Sequence, residues 1–259
     1  MSLARGAFIQ MQVAHALVMR ETRTRFGAHQ VGYLWALLEP LLWVATFYAL
    51  FTLADRSPPS GMTVASFLVT GLVPYQLFRE VTTRVVVAVE ANRGLLFYPQ
   101  VRPLDLVLAR VVLETATWAS VFAILMSAEA LYVGALRIDS LLMVLSGFAL
   151  CAWLGGALGM ILGALSLYMR AVEKLSSALI RPLFWLSGVF YTANDVPPSF
   201  LAIIRHNPVL HCVELVRDGW FTQYSSLHVQ PTYPVAVGLV LLLLGLAFER
   251  ASRVRIELT

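Results

Sequence analysis

The residues best placed to do chemistry are ionisable side chains set inside otherwise apolar runs: Glu39, Arg79, Glu80, Arg84, Glu114, Glu129 and Arg181. A charge in hydrocarbon is costly, so each is expected to face a partner or a water-filled path. Arg79 and Arg84 would line a path for an anion if their helix runs past Phe78. If the helix ends there, both sit among lipid headgroups. Arg110 and Glu114, four residues apart, read as a local ion pair. Aromatic rings form a second set: Trp43, Phe47 and Phe51 recur every fourth residue, followed by Tyr75 and Phe78. Ring faces pack well against the C–H groups of sugars, and they equally well face lipid. Tyr191, Trp220, Phe221 and Tyr224 read as an interfacial aromatic belt. Bond-making chemistry lacks its constellations. His15, His29, His206, His211 and His228 are scattered, and neither H-E-x-x-H nor G-x-S-x-G occurs. A phosphate-binding loop needs Gly-Lys-Ser/Thr, whereas the single lysine, Lys174, lies between Glu173 and Leu175. The chain therefore reads as a non-enzyme, and ATP hydrolysis by that route would belong to another polypeptide.

The elements that position these residues follow from composition. Of 259 residues, 59% are apolar and 13% charged, against about 25% charged in a soluble domain. So few charges cannot cover a water-facing surface, and a polytopic membrane protein is expected. Two cysteines are too few for a disulfide or zinc framework. The first twenty residues lack the apolar core of a cleaved signal peptide. Runs long enough to cross a bilayer lie at Leu34 to Ala54, Met62 to Phe78, Thr115 to Val133, Ile138 to Leu165, Leu175 to Tyr191 and Thr232 to Phe248. Six spans put both termini on one side. Of the 19 basic residues, 14 fall on the face shared by the termini and 4 on the other. The positive-inside rule makes the first face cytoplasmic.

Two segments depart from simple hairpins. Residues 1–33 are polar on the side of Arg5, Gln12, Arg20 and Arg23 and apolar on the side of Leu3, Met11, Val13, Leu17 and Val18, the pattern of an interfacial helix. Residues 196–222, broken at Asn207-Pro208, are too polar to span and too apolar for a loop. Two re-entrant half-helices fit, since irregular backbone at membrane depth needs protein or water around it. Gly147, Gly155, Gly159 and Gly163, with Cys151 in register, form a small-residue stripe. It admits a close helix neighbour, either within the chain or in a second subunit.

Four stretches, in order along nearly the whole chain, resemble the permeases of ABC type-2 exporters. Arg20-Glu21-x-Arg23-x-Arg25-Phe26 with Gly32-x-x-Trp35 and Glu39-Pro40 is similar to the family's approach to the first span. Gly71-Leu72-Val73-Pro74-Tyr75-x-x-Phe78 resembles its second helix. Asn92 to Asp105, running on to Ala109-Arg110 and Glu114, resembles its cytoplasmic loop, and Asn207-Pro208 with Glu214 and Arg217 the segment before its last span. The pattern is that of the polysaccharide-export subgroup, and within it of the capsular polysaccharide permeases of Gram-negative bacteria. O-antigen and teichoic-acid permeases share these motifs and remain alternatives, as does an ABC type-2 drug or lipid exporter.

The resemblance implies an all-α fold with an interface segment at 1–33, a six-span domain at 34–259, a coupling loop at about 92–103 and a re-entrant segment at about 196–222. It implies a homodimer in the bacterial inner membrane, with two copies of a separate ATPase that bind the ATP and magnesium, so no cofactor is expected in this chain. The cargo would be a lipid-linked glycan moving from cytoplasm to periplasm, passed on to periplasmic and outer-membrane export proteins. No nucleic-acid partner is expected. In this scheme Arg20, Arg23, Arg25 and Trp35 attract the lipid head through charge-assisted hydrogen bonds. Trp43, Phe47, Tyr75, Phe78, Arg79 and Arg84 line the channel. Leu96, Phe97, Tyr98, Pro99 and Arg102 couple to the ATPase, and Asn207, Pro208, Glu214 and Arg217 belong to the re-entrant segment. A secondary transporter would instead show internal repeats with paired broken helices, and a membrane transferase a convergent polar cluster. Neither is visible.

Overall fold

The computed structural model describes residues 3–26, 31–59, 61–98, 100–135, 138–169 and 171–258, with side chains described for 12–23, 38–59, 61–98, 100–135, 138–169 and 171–251. Among these residues there are helices and no strand. Helix α1 covers Leu3–Phe26, α2 Val31–Leu53, α3 Val64–Val86, α4 Ala88–Ala91 and α5 Pro103–Val133. Then come α6 at Leu141–Ser166, α7 at Ala171–Leu186, α8 at Pro198–Ile204, α9 at Pro208–Trp220 and α10 at Thr232–Leu258. Local chemistry sets many of these boundaries. The Thr63 hydroxyl accepts from the Ser66 N–H and the Ser66 hydroxyl from the Thr63 N–H, a capping box that starts α3. Pro103 opens α5 while the Asp105 carboxylate accepts from the Arg102 N–H at 2.8 Å. Gly134, at φ 76°, closes it.

Helix α3 is the axis of the bundle. Phe67, Leu68, Leu72, Val73, Leu77 and Val81 are all but inaccessible, and α3 packs on α6, α5 and α9. The glycine stripe of α6 makes that packing possible. A Cβ at Gly155 would stand 2.8 Å from the Phe78 carbonyl oxygen, and one at Gly159 would stand 2.7 Å from the Val85 Cβ. Gly147 in turn sits against Cys212 and Val216 of α9. Of the two uses open to the stripe, the structure shows the one within the chain.

Helices α5, α6 and α10 are long and apolar enough to cross a membrane, and Leu38–Leu53 is a shorter apolar stretch within α2. Helix α3 has 23 residues but carries Arg79, Glu80 and Arg84. It does run past Phe78, to Val86. The expected span from Leu175 to Tyr191 is helical only to Leu186. The chain then turns at Gly188, whose φ of 72° ends helical geometry. Sixteen residues make α7 about 24 Å long at 1.5 Å per residue, short of a bilayer core of about 30 Å. Two short helices, α8 and α9, occupy the stretch where half-helices were expected.

Candidate functional site

Helices α2, α3 and α7 enclose a cavity of about 580 Å³. Helix α2 contributes Trp43 and Phe47, α3 contributes Tyr75, Gln76, Arg79 and Thr83, and α7 contributes Arg181, Phe184 and Trp185. The rings form a continuous wall. Trp43 stacks on Phe47 at 5.7 Å and 18°, Phe184 meets Tyr75 at 5.1 Å, and Phe190 meets Phe47 at 4.4 Å. The Tyr75 hydroxyl donates to the Ile180 carbonyl at 2.8 Å and so fixes its own ring and ties α3 to α7. Cationic heads complete the lining. Arg79 donates to Gln76 Oε1 at 2.9 Å, lies 3.8 Å from Glu80 and keeps its side chain 40% exposed. Arg181 is exposed. Such a wall can hold sugar rings by their apolar faces while the guanidinium groups attract anionic oxygens.

Of the six residues expected in a channel, Trp43, Phe47, Tyr75 and Arg79 thus meet around one cavity. Phe78 and Arg84 do not line it. Phe78 is buried, its ring 6.2 Å from Tyr75. Arg84, five residues beyond Arg79, is rotated about 140° around the helix. It lies 3.5 Å from Glu80 and 3.9 Å from the fully buried Glu114 of α5. Arg110 has an interhelical partner as well, Glu21 of α1. Sequence reasoning passed over Gln76, Phe184, Trp185 and Phe190 as site residues. The signal was present: Ser177, Ile180, Arg181 and Phe184 lie on one face of a helix at spacings of three, one and three.

The residues expected at the substrate intake and the coupling loop lie together at one end of the bundle. Arg20 donates to Asn92 Oδ1 at 3.1 Å, and Arg23 is exposed. Arg25 falls in α1 and Trp35 in α2, but their side chains lie outside the described residues, as does Pro99 altogether. Helix α1 rests on α5: Leu17 is buried with Leu106 and Ala109, and Val13, Val18, Leu95, Leu96 and Val101 pack around them. Leu96 therefore faces inward. Phe97 and Tyr98 point outward, 89% and 62% exposed. Arg102 uses its backbone N–H to start α5 and exposes its side chain.

At the other end, the residues of the re-entrant motif hold a joint. Asn207 Oδ1 accepts from the Val209 N–H at 3.0 Å and caps α9, with Pro208 at the first helical position. Its amide donates to Leu186 O and Ser187 Oγ. Arg217 is wholly buried: it pairs with Glu214 at 3.0 Å, donates to the Tyr191 and Val189 carbonyls at 2.8 and 3.0 Å, and lies 4.4 Å over the Phe67 ring. Glu214 also accepts from the hydroxyls of Tyr224 and Ser226. Gly71 leaves room for the guanidinium, since a Cβ there would fall 2.5 Å from Arg217 Nη2. Among the described residues no cluster of His, Cys, Asp and Glu could hold a metal ion.

A helical bundle of this composition, with three helices long and apolar enough to cross a bilayer, is a membrane protein. Residues 12–221 match the model of the ABC-2 type transporter family, and the chain belongs to that family. It is similar to the polysialic acid transport protein KpsM of Escherichia coli, with 31% identity covering 96% of each chain. It is also similar to the capsule polysaccharide export inner-membrane protein CtrC of Neisseria meningitidis (32% identity, 92% of this chain and 90% of the relative). A third relative, the capsule polysaccharide export inner-membrane protein BexB of Haemophilus influenzae, is 31% identical over 93% of this chain and 91% of its own length.

Proposed function

We propose that this chain is the transmembrane permease subunit of an ATP-driven exporter that moves lipid-linked capsular polysaccharide from the cytoplasm to the periplasm. The observation that carries the reading is the end-to-end similarity to a polysialic acid transport protein and two capsule polysaccharide export inner-membrane proteins. The cavity between α2, α3 and α7 supports it, because rings without a closed, unit-specific pocket suit a polymer that must slide.

In this reading the chain sits in the inner membrane with both termini cytoplasmic and crosses it six times through α2, α3, α5, α6, α7 and α10. The pair α8–α9 dips in from the periplasmic side. A second copy of the chain closes the cavity where Trp185, 61% exposed, and Arg181 face outward. Two copies of a separate ATPase dock at Phe97, Tyr98 and Arg102 and supply the bound ATP and magnesium. The intake gathers Arg20, Arg23, Arg25 and Trp35 at the cytoplasmic end. Glycan then passes Arg79 and Arg181 along the ring wall, and periplasmic and outer-membrane proteins receive it.

The test is restoration of surface polymer. Expressed with its own ATPase in a capsule-forming strain lacking its permease, the chain should return capsule to the surface. Absence of capsule, with the protein present in the membrane, would overturn the proposal. Restoration of O-antigen in a matching strain but not of capsule would reassign the cargo.

A further inference from the structure

Against the turn between α8 and α9 lies a second cavity, of about 500 Å³, used by neither the ring wall nor the Arg217 joint. Its walls come from α8, the turn into α9, residues 227–230 and the first turn of α10. Three of the five histidines in the chain, His206, His211 and His228, line it with Arg205, Gln230 and Tyr233. Among the described residues the lining includes no carboxylate.

The histidines divide by role. His211 is buried with both nitrogens engaged: Nδ1 accepts from the Gln230 N–H at 3.3 Å, so Nε2 carries the proton and donates to the Arg205 carbonyl at 2.8 Å. It is a neutral cross-link between the α8–α9 turn and the returning segment. The Tyr233 hydroxyl donates to the His206 carbonyl at 2.9 Å and ties α10 to the same turn. The backbone beneath Arg205 and His206 is thus held from two sides, while the side chains of Arg205, His206 and His228 are exposed.

We propose that this cavity is an anion-binding site that receives a carboxylate or phosphate group of the exported glycan, with Arg205, His206 and His228 as its ligands. The proposal rests on the export reading above. An arginine is always charged, and each histidine adds a ring N–H donor. The sign of the lining selects against cations. Shape selects against a protein partner, because about 500 Å³ falls in the range of about 300–1,000 Å³ typical of small-ligand pockets, whereas a protein partner needs a broad face of about 800 Å². Pro198, Leu201 and Leu227 give the cavity an apolar side for the C–H face of a sugar ring. Convergent donors on a braced backbone also lower the ordering cost of binding.

The experiment measures binding to the full-length chain, reconstituted with its ATPase in nanodiscs, using four probes: trigalacturonate, neutral galactotriose, inorganic phosphate and an acidic hexapeptide. The acidic sugar or phosphate should bind and galactotriose should not. Phosphate alone would point to the lipid linker as the source of the anion, and trigalacturonate to the sugars of the chain. The variant R205Q/H206Q/H228Q should weaken binding at least about tenfold, equal to 1.4 kcal/mol, whereas R205K should retain it. Equal binding of galactotriose, an unaffected triple variant, or binding of the peptide alone would overturn the site. In the capsule-restoration strain, full capsule from the triple variant would overturn a role in export while leaving the export reading intact. Failure of the wild-type chain there would count against that reading, and the nanodisc measurement would still decide the site.

Discussion

At the scale of single residues, Arg79 and Arg84 show how position on one helix separates roles. Arg79 opens into the ring-walled cavity, and Arg84 is drawn to Glu80 and the buried Glu114. Arg79→Gln should lower export of an acidic polymer, by roughly tenfold if one charge-assisted contact is lost, with the protein level unchanged. Arg84→Gln should act on the fold, because it weakens the compensation of a carboxylate removed from water. Export normalised to protein in the membrane separates the two effects, and equal normalised export for Arg79→Gln and the wild type would exclude Arg79 from the path. Arg217 makes a sharper demand. Removing one partner of a buried pair costs about 3–5 kcal/mol, so Arg217→Ala should cut the folded yield and lower the unfolding temperature in detergent. Arg217→Lys should rescue little, since one ammonium cannot serve Glu214 and two carbonyls in a fixed fork. Much of the site could be read in the sequence: the α2 stripe and Arg79 followed from spacing and polarity. Phe78 could not be separated from Tyr75, because both fall in a helix buried nearly all round and periodicity marks a face only when one side differs.

At the scale of elements, the α6 stripe and the coupling loop are two cases of small features setting large contacts. Leucine at Gly155 would place side-chain atoms where the Phe78 carbonyl already lies within 2.8 Å of a Cβ. Gly155→Leu should therefore separate α3 from α6 and abolish stable protein, while Gly94→Ala, with open space around it, should be tolerated. Quantitative immunoblots of membranes would read both. In the loop, Leu95 and Leu96 anchor inward beside α1 and leave Phe97 and Tyr98 projecting. Replacing both aromatics with alanine should leave the protein in the membrane yet cut export and loosen the ATPase, measured by co-purification. Unchanged co-purification and export would remove the docking role. The long helices of this bundle follow from apolar run lengths, and the structure adds the caps at Thr63, Ser140 and Asn207. The early end of α7 did not follow, because the apolar run resumes with Val189 and Phe190 after Ser187-Gly188, and a small-residue pair inside such a run does not by itself mark a left-handed turn. The docking of α1 on α5 was equally hidden, since an apolar stripe looks the same whether lipid or protein covers it.

At the scale of the whole molecule, the distribution of charge carries the proposed orientation of the chain. Four basic residues fall on the face assigned to the periplasm: Arg56, Arg137, Arg205 and Arg217. Arg217 is sequestered with Glu214, so it adds nothing to the free positive charge there. The opposite face keeps exposed arginines such as Arg20, Arg23 and Arg102. The positive-inside rule reads the asymmetry of 14 basic residues against 4. In the proposed orientation, Phe97 lies in the cytoplasm and His228 in the periplasm. Both native cysteines, Cys151 and Cys212, are buried and give little background. In intact spheroplasts a membrane-impermeant maleimide should label a His228→Cys variant and spare Phe97→Cys, and in inside-out vesicles the preference should invert. Labelling of Phe97→Cys from the outside would reverse the molecule and place the anion-binding cavity beside the ATPase. Labelling of both from one side would mean an even number of crossings between them, with the short α7 failing to span.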